Sequence, residues 1–207
     1  MNYESLIFDI DGTLWDSREK VAEGYNIQLK EEGLAHLCVT ADDLLPLFGK
    51  VMTDIADAIL ATIPAPDRYP IMERCMETEN KYLAQQPCDF GYPGVRETIA
   101  ELSKHHRLFI VSNAQCGYPE LCIEKLGLEP YIQGHMCFGD TGASKGITIR
   151  KLMERHGITD AAYIGDTQGD YEATLEAGIP FIWCAFGFGT PDGYAAKVDK
   201  FEDLLTL

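Results

Sequence analysis

Acidic residues that directly follow short apolar runs are the first sign of chemistry in this sequence. Asp9 comes after the apolar residues 6–8, and Asp11 follows two residues later, ahead of Gly12 and Thr13. Such runs are typical of buried strands in a parallel sheet, whose ligands bind outside the carboxyl ends of the strands. We therefore expect the Asp9 carboxylate to face a crevice. Two carboxylates there suit a cation site with one of them as ligand or nucleophile, although Asp11-Gly12 could also be only a turn.

A second pair of acids has the same placement later in the chain. Asp166 follows the apolar run 162–165, and Asp170 lies four residues further on. Either acid could instead be the N-cap of a following helix, because Asp is a preferred capping residue. Capping does not explain why an acid again ends an apolar run, so a cation site remains the alternative.

Two further stretches could bind phosphate. Ser112 and Asn113 end the apolar run 108–111 and could offer a hydroxyl, an amide and backbone N–H groups to phosphate oxygens, or simply cap a helix. Lys145 stands at the start of a predicted helix, where the helix dipole disfavours a cation. Its position therefore indicates an accompanying anion, although a lysine is more often a solvated surface residue.

From residue 91 onward, the elements that must position these side chains alternate between strand and helix. This alternation predicts a doubly wound parallel sheet, a Rossmann-like α/β core that also contains the first strand. The predicted strands are 107–112, 135–138, 162–165 and 179–184, and the predicted helices are 95–104, 118–126, 145–156 and 170–177.

Residues 15–90 are predicted to be all-helical. The predicted helices are 17–32, one opened by a capping box at 40–43, 51–62, and 67–86 with Pro70 in its first turn. Gly and Pro at 87–94 indicate a linker. We therefore expect a catalytic core of residues 1–14 and 91–207, with residues 15–90 inserted as a helical cap domain. An insertion at the catalytic edge of the sheet is placed to act as a lid.

Composition limits the classes of partner. The formal net charge of −16 disfavours nucleic acid and anionic membranes, and no apolar run approaches the ~20 residues of a membrane helix. Charged residues occupy the place of a signal-peptide core, which predicts a cytoplasmic protein.

The seven cysteines form no C-x-x-C pair, so zinc and a disulfide framework are not expected. Cys116, close after Asn113, is expected to be a free thiol.

Taken in order, these four stretches resemble the four motifs of the haloacid dehalogenase-like superfamily. Trp15-Asp16-Ser17 extend the match toward its phosphoglycolate phosphatase-like and β-phosphoglucomutase-like members, and Gly187-Phe-Gly189 is also similar to the family. One departure is Lys145-Gly146, where many close relatives have Lys-Pro. Within the helical segment, the resemblance depends chiefly on position and on Gly49-Lys50.

The resemblance implies a role for each matched residue. Asp9 is the implied nucleophile and Asp11 the implied acid and base. The implied cofactor is Mg²⁺, bound by the Asp9 carboxylate, the Asp11 backbone carbonyl, Asp166 and, directly or through water, Asp170. The residues implied to bind the substrate or its phosphate are Gly12, Thr13, Ser112, Asn113, Lys145 and Lys50.

The resulting expectation is a Mg²⁺-dependent phosphatase that hydrolyses a small phosphorylated metabolite through an aspartyl-phosphate, as a monomer or small homo-oligomer. Dehalogenase and phosphonatase branches lack the second acid, Asp11, so neither reaction fits. The alternative enzyme is a phosphomutase of the β-phosphoglucomutase type, which uses the same residues. Two non-enzyme alternatives are a phospho-acceptor module, which orders its acids differently and lacks a helical insertion, and a pseudoenzyme that binds a partner.

Overall fold

Six parallel strands form a single sheet in the computed structural model, which describes residues 3–88 and 90–207. The strands are β1 (Ser5–Phe8), β2 (Arg107–Ser112), β3 (Ile132–Cys137), β4 (Ala161–Gly165), β5 (Phe181–Cys184) and β6 (Ala196–Val198). Their spatial order is β3-β2-β1-β4-β5-β6, and every neighbouring pair is parallel. The chain therefore runs outward from β1 in both directions, which confirms the predicted doubly wound α/β core.

The helices fall into two sets. Helices α1 (Arg18–Glu31), α2 (Ala41–Leu44), α3 (Met52–Ile59) and α4 (Ala65–Gln85) lie between β1 and β2 in the chain. The others are α5 (Val95–Leu102), α6 (Tyr118–Leu126), α7 (Phe138–Thr141), α8 (Lys145–His156) and α9 (Gln168–Ala177), with 3₁₀ turns at Ala35–Leu37 and Phe201–Thr206. Within the described residues, none of these helices has both the length and the apolar character needed to span a membrane.

Strand β1 is buried on both faces, which explains its uninterrupted apolar sequence. Leu6 and Phe8 point into a core that also contains Ile99 of α5, while Ile7 points into a second core with Ile149 of α8. All three strand residues are completely buried. The two cores fix the strand between its neighbours, so the residues that follow it are held at the carboxyl edge of the sheet.

Some predicted boundaries differ from the structure. Helix α4 begins at Ala65, so Pro70 lies in its second turn and not in the first turn as predicted. The proline in the first turn is Pro66, at a position where a missing N–H costs little. Strand β3 begins three residues earlier than predicted, and Phe138 starts α7 in place of ending the strand. The three-residue β6 at the sheet edge was not predicted because it is too short to show a period.

Candidate active site

The carboxyl ends of β1 and β4 bring three of the predicted acids together. These strands are neighbours, with Phe8 opposite Ile164, so Asp9 and Asp166 leave the sheet side by side. Asp170 joins them from the first turn of α9. One carboxylate oxygen from each acid lies within 4.8 Å of the others, and all three residues are buried. We call Asp9, Asp166 and Asp170 the acid cluster.

Lys145 lies inside the acid cluster and is not a solvated surface lysine. It is the first residue of α8, whose N-cap Ser144 accepts a hydrogen bond from Ile147 N. Its Nζ donates to Asp9 Oδ1 at 3.0 Å and to Asp170 Oδ1 at 2.6 Å, and the side chain is only 4% exposed. Burial alone would lower the pKa of Lys145, but the Asp170 and Asp9 carboxylates outweigh it and raise that pKa above the usual range. The ammonium therefore stays charged beside the anions.

Asp166 leaves one carboxylate oxygen without a partner. Its Oδ2 accepts a hydrogen bond from Phe188 N at 2.6 Å, whereas its Oδ1 is buried and accepts none within the described part of the chain. Burial, followed by the charges of Asp170 and Asp9, raises the pKa of Asp166 well above its ordinary value. With all groups ionised, three carboxylates and one ammonium carry a formal charge of −2. This oxygen-rich anionic site fits a divalent cation such as Mg²⁺.

Gly12 is required by the close approach of the first acidic turn to Asp166. Its φ is +79°, and a Cβ built on it would lie 2.1 Å from Asp166 Oδ2. Any side chain would therefore push the Asp166 carboxylate out of the acid cluster. The structure places Gly12 against the acid cluster, and Thr13 beside it is completely buried.

Helix capping does not account for Asp166, and it accounts for only one of the two carboxylate oxygens of Asp170. The N-cap of α9 is Thr167, and Asp170 is the third residue of its capping box. Asp170 Oδ2 accepts from the Thr167 backbone N at 3.0 Å and from its Oγ1 at 2.7 Å. One oxygen of Asp170 thus starts the helix, while the other binds Lys145. Although burial opposes it, the charge of Lys145 lowers the pKa of Asp170.

Asp11 lies next to the acid cluster in a different environment. Its Oδ1 accepts hydrogen bonds from Trp15 Nε1 at 2.9 Å, Ser17 Oγ at 2.8 Å and the Tyr118 hydroxyl at 2.7 Å. Burial raises the pKa of Asp11 to about 6, although these three hydrogen bonds oppose the rise. All three donors bind the same oxygen, which fixes the carboxylate and leaves Oδ2 for proton transfer. A pKa near the working pH suits a general acid or base.

The Ser112-Asn113 stretch connects the core to the helical segment. Neither residue caps α6, which begins at Tyr118 behind the N-cap Gly117. Ser112 Oγ instead accepts from Ala114 N at 3.3 Å, and Asn113 Nδ2 donates to the Gly49 carbonyl at 2.7 Å. Asn113 Oδ1 is buried and has no hydrogen bond with any residue that the structure describes. This contact brings the Gly49-Lys50 turn to the carboxyl edge of the sheet.

The helical segment closes over this edge and covers the crevice that was expected at Asp9. Phe48 packs edge-on against Phe188 with ring centroids 5.7 Å apart, and Asp9 is only 2% exposed. A cavity of about 40 Å³ remains between the two parts of the chain. We call it the leaving-group cavity because it is lined by Asp11, the acid that the family resemblance implies would protonate the leaving group. Its other polar lining residues are Tyr25, Lys50, Glu79, Gln115 and Tyr118, of which only Lys50 is exposed.

Glu79 is a buried acid that the sequence analysis did not select. Helix α4 buries Ile71, Cys75, Glu79 and Leu83, a stripe with a spacing of four residues. An acid on such an apolar stripe is the signal that could have revealed it. Glu79 is 2% exposed, and its Oε2 accepts a hydrogen bond from Gln115 Nε2 at 3.3 Å.

Cys116 lies outside the acid cluster. It is an exposed free thiol, and its Sγ lies 3.8 Å from Asp140 Oδ1. Its backbone carbonyl accepts a hydrogen bond from Asn80 Nδ2. It therefore touches α4, but none of its contacts is with Asp9, Asp166 or Asp170.

Replacing Glu79 by Gln should make stability less sensitive to alkaline pH. Burial, and then the charge of Asp11, raises the pKa of Glu79 well above its ordinary 4.5 in the folded protein. The wild-type protein therefore loses stability as pH rises from 4.5 through the folded pKa, by at most about 1.4 kcal/mol per pH unit for one proton. The free energy of unfolding of Glu79→Gln relative to wild type should rise with pH between 5 and 8. Urea titrations measure it; a difference independent of pH would contradict the raised pKa.

Comparisons with known proteins agree with this geometry. The family model described as haloacid dehalogenase-like hydrolase matches residues 6–184. A phosphoglycolate phosphatase of Agrobacterium fabrum is 33% identical over 193 residues, covering 88% of this chain and 80% of that protein. A phosphoglycolate phosphatase of Aquifex aeolicus is 28% identical, covering 88% of this chain and 85% of that protein.

Solved structures share the fold. A protein described as a predicted phosphoglycolate phosphatase from Haemophilus somnus superposes with a TM-score of 0.84 at 19% identity, covering 100% of this chain and 98% of that one. A putative haloacid dehalogenase-like hydrolase from Bacteroides fragilis gives a TM-score of 0.83 at 18% identity, covering 98% and 100%. The sequence match, the sheet order and the acids at its carboxyl edge are consistent with one another, and the chain belongs to the haloacid dehalogenase-like hydrolase family.

Proposed function

We propose that this protein is a Mg²⁺-dependent phosphatase that hydrolyses a small phosphorylated metabolite through a phosphorylated Asp9. The observation that carries the proposal is the pairing of two kinds of carboxylate at one edge of the sheet. Asp9 lies in an anionic cluster with Lys145, while Asp11 is held by three donors on one oxygen. The names of the relatives, which are phosphoglycolate phosphatases, support a phosphate monoester as the substrate.

The acid cluster and one backbone group would hold the metal. Asp9, Asp166 and Asp170 would supply carboxylate oxygens, with Asp11 contributing its backbone carbonyl and not its side chain. The unpartnered Asp166 Oδ1 supports this assignment, since a buried oxygen without a donor is costly unless a cation binds it. Bound Mg²⁺ offsets the repulsion between a phosphate dianion and the attacking carboxylate.

In the first step, an Asp9 carboxylate oxygen forms a bond to phosphorus as the bond from phosphorus to the substrate oxygen breaks. Asp11 Oδ2 gives its proton to that departing oxygen, so the product leaves as a neutral alcohol. The Lys145 ammonium already lies 3.0 Å from Asp9 and is placed to stabilise charge on the transferring group. Thr13, Ser112 and Asn113 would donate to its remaining oxygens.

In the second step, water hydrolyses the acyl phosphate. Asp11, now ionised, takes a proton from the water as its oxygen attacks phosphorus, and the bond from phosphorus to Asp9 breaks. Inorganic phosphate leaves, while Asp9 is a carboxylate again and Asp11 holds a proton for the next cycle. The three hydrogen bonds on Oδ1 keep the same oxygen of Asp11 directed at the reaction in both steps.

We propose residues 1–14 and 91–207 as the catalytic core and residues 15–90 as a cap that opens to admit substrate. The two connections run side by side, which supports a hinge there. Asp16 N donates to the Phe90 carbonyl at 2.8 Å, and Tyr92 N donates to the Leu14 carbonyl at 3.0 Å. The leaving-group cavity, at about 40 Å³, is too small to hold a whole substrate without such an opening.

The proposed activity should appear as phosphate release that requires Mg²⁺. We expect release from small phosphate monoesters to stop after treatment with EDTA and to return when Mg²⁺ is added. In ³¹P NMR with sugar phosphates, free phosphate should accumulate faster than any isomeric sugar phosphate. Faster formation of an isomeric sugar phosphate than of free phosphate would identify the protein as a phosphomutase. Turnover that survives exhaustive chelation would contradict the metal requirement.

A further inference from the structure

We propose that Cys116, Cys137 and Asp140 form a second metal site, which binds one thiophilic divalent cation of the Zn²⁺ class. The sulfur of each cysteine and a carboxylate oxygen of Asp140 lie within 4.8 Å of one another. We call these three residues the Cys-Cys-Asp site. It shares no residue with the acid cluster, so the inference is independent of the proposed phosphatase function.

The ends of two neighbouring strands bring the two cysteines together. Ser112 lies opposite Cys137 in the pairing of β2 with β3, and both residues end their strands. Cys116 follows Ser112 in the turn that leads to α6, and Asp140 follows Cys137 in α7. Because the cysteines come from different strands, no C-x-x-C spacing marks the site in the sequence.

Packing holds the Cys116 sulfur against α7. A Cβ at Gly139 would lie 2.6 Å from Cys116 N and 2.7 Å from its Sγ, so only glycine permits this approach. Gly139 N also donates to the Ala114 carbonyl at 3.2 Å. On its other side, the Cys116 carbonyl accepts from Asn80 Nδ2 at 3.2 Å. The sulfur therefore has a fixed position, which favours a metal site.

The distances suit tetrahedral coordination. The Cys137 thiol donates to Asp140 Oδ2 at 3.3 Å, and the Cys116 thiol donates to Asp140 Oδ1 at 3.8 Å. Around Zn²⁺, with Zn–S about 2.3 Å and Zn–O about 2.0–2.2 Å, ligand atoms lie about 3.5–3.8 Å apart. Small side-chain rotations are therefore enough for one cation to replace the two thiol protons.

Helix capping explains only part of this arrangement. Cys137 N donates to Asp140 Oδ2 at 2.8 Å, which is the capping bond of α7. That bond orients the carboxylate, as the supporting bonds of metal ligands do, but it does not require a second thiol at Asp140. Among the described residues, no Lys, Arg or His forms an ion pair with Asp140, so its charge remains for a cation.

The ligand atoms favour Zn²⁺ over Mg²⁺. Thiolates bind zinc, whereas Mg²⁺ prefers oxygen ligands. Cys137 is buried, but Cys116 and Asp140 are exposed, so the ion can enter from solvent and keep a water as fourth ligand.

Metal binding at this site must release protons. Burial, followed by the effect of Asp140, raises the pKa of both thiols, so both are protonated before the metal binds. A coordinating thiol loses its proton, so each bound cation sends two protons to the solvent. Two thiolates, one carboxylate and one divalent cation then leave a formal charge of −1.

Cd²⁺ is the probe that tests the inference, because cadmium–thiolate bonds give an ultraviolet charge-transfer band. Reduced protein is titrated with Cd²⁺ in excess Mg²⁺. We expect the band to saturate at one Cd²⁺ per chain and to disappear when Zn²⁺ is added. The acid cluster contains no sulfur, so Cd²⁺ bound there gives no such band.

Two variants locate the band. Cys116→Ser should weaken Cd²⁺ binding by about 100-fold or more, since loss of a ligand should cost at least as much as loss of its supporting bonds. Cys38→Ser removes another free thiol, in the helical segment, and should leave the band and the affinity unchanged.

Three results would overturn the inference. They are the absence of the band in wild type, a band that does not saturate near one Cd²⁺ per chain, and equal binding by Cys116→Ser. Cys116 is exposed, so its replacement by Ser should fold. Phosphate release enters none of these readouts, so an inactive phosphatase would leave the test of the Cys-Cys-Asp site unaffected.

Discussion

Replacing Asp9 by Asn is expected to lower kcat by about 10⁴-fold or more, because an amide is neither a nucleophile at phosphorus nor a good metal ligand. The fold should persist, since Asn has the same shape and Lys145 keeps its contact with Asp170 at 2.6 Å. Steady-state phosphate release measures the loss, and circular dichroism checks the fold.

A matched control for this variant lies at the other end of a neighbouring strand. Asp160 precedes β4 at the amino edge of the sheet, where its Oδ2 accepts from Glu4 N at 3.0 Å. Asp160→Asn should keep normal kcat. Turnover of Asp9→Asn within a few-fold of wild type would remove the covalent mechanism.

The second large effect is expected for Asp11→Asn, and it should depend on the leaving group. With alkyl phosphates kcat should fall about 10²- to 10⁴-fold, because no acid remains to protonate the departing oxygen. Acetate needs no proton to leave, so acetyl phosphate should still phosphorylate Asp9. The variant should then stall, because no base remains to activate water.

Rapid-quench measurement of acetate tests this dependence. We expect a burst of one acetate per active site from Asp11→Asn, followed by slow turnover. Mg²⁺ affinity, measured by titration, should stay near the wild-type value, since the proposed ligand at this residue is the backbone carbonyl. Weaker Mg²⁺ binding would place the Asp11 side chain among the metal ligands, and no burst would argue against its role as the base.

The acids at the sheet edge could be predicted because each follows an apolar run. Asp9 and Asp166 leave neighbouring strands, and the rule that parallel sheets bind ligands at their carboxyl ends sufficed to bring them together. The buried position of Lys145 could only be suggested by its place at a helix start. Its two contacts, with residues 136 and 25 positions away, depend on how α8 packs against the sheet and against α9.

The support of Asp11 and the shape of the cavity could not be predicted. Tyr118 reaches Asp11 from 107 residues away, and the Tyr118 sequence context shows only a helix start. Glu79 becomes significant only when α1 and α4 close on each other at Gly24. The first contact comes from packing within the core and the second from packing within the helical segment, and no local pattern encodes either.

The closure at Asp9 has the same origin. The sequence predicts an acid that faces a crevice next to a helical insertion. Phe48 and the Gly49 carbonyl of that insertion cover the edge through Phe188 and Asn113. The insertion was expected to act as a lid, but the residues that meet the edge could not be predicted, because these contacts depend on how the helical segment packs against the core.

Chemical trapping of the phosphorylated residue tests the central claim most directly. Asp11→Asn is mixed with acetyl phosphate and Mg²⁺, quenched, and reduced with borohydride, which converts an aspartyl-phosphate to homoserine but leaves a free carboxylate unchanged. Peptide mass spectrometry then locates the modified residue. The mechanism predicts homoserine at position 9, dependent on both acetyl phosphate and Mg²⁺. Homoserine at another aspartate, or its absence despite a burst of acetate, would contradict phosphorylation of Asp9.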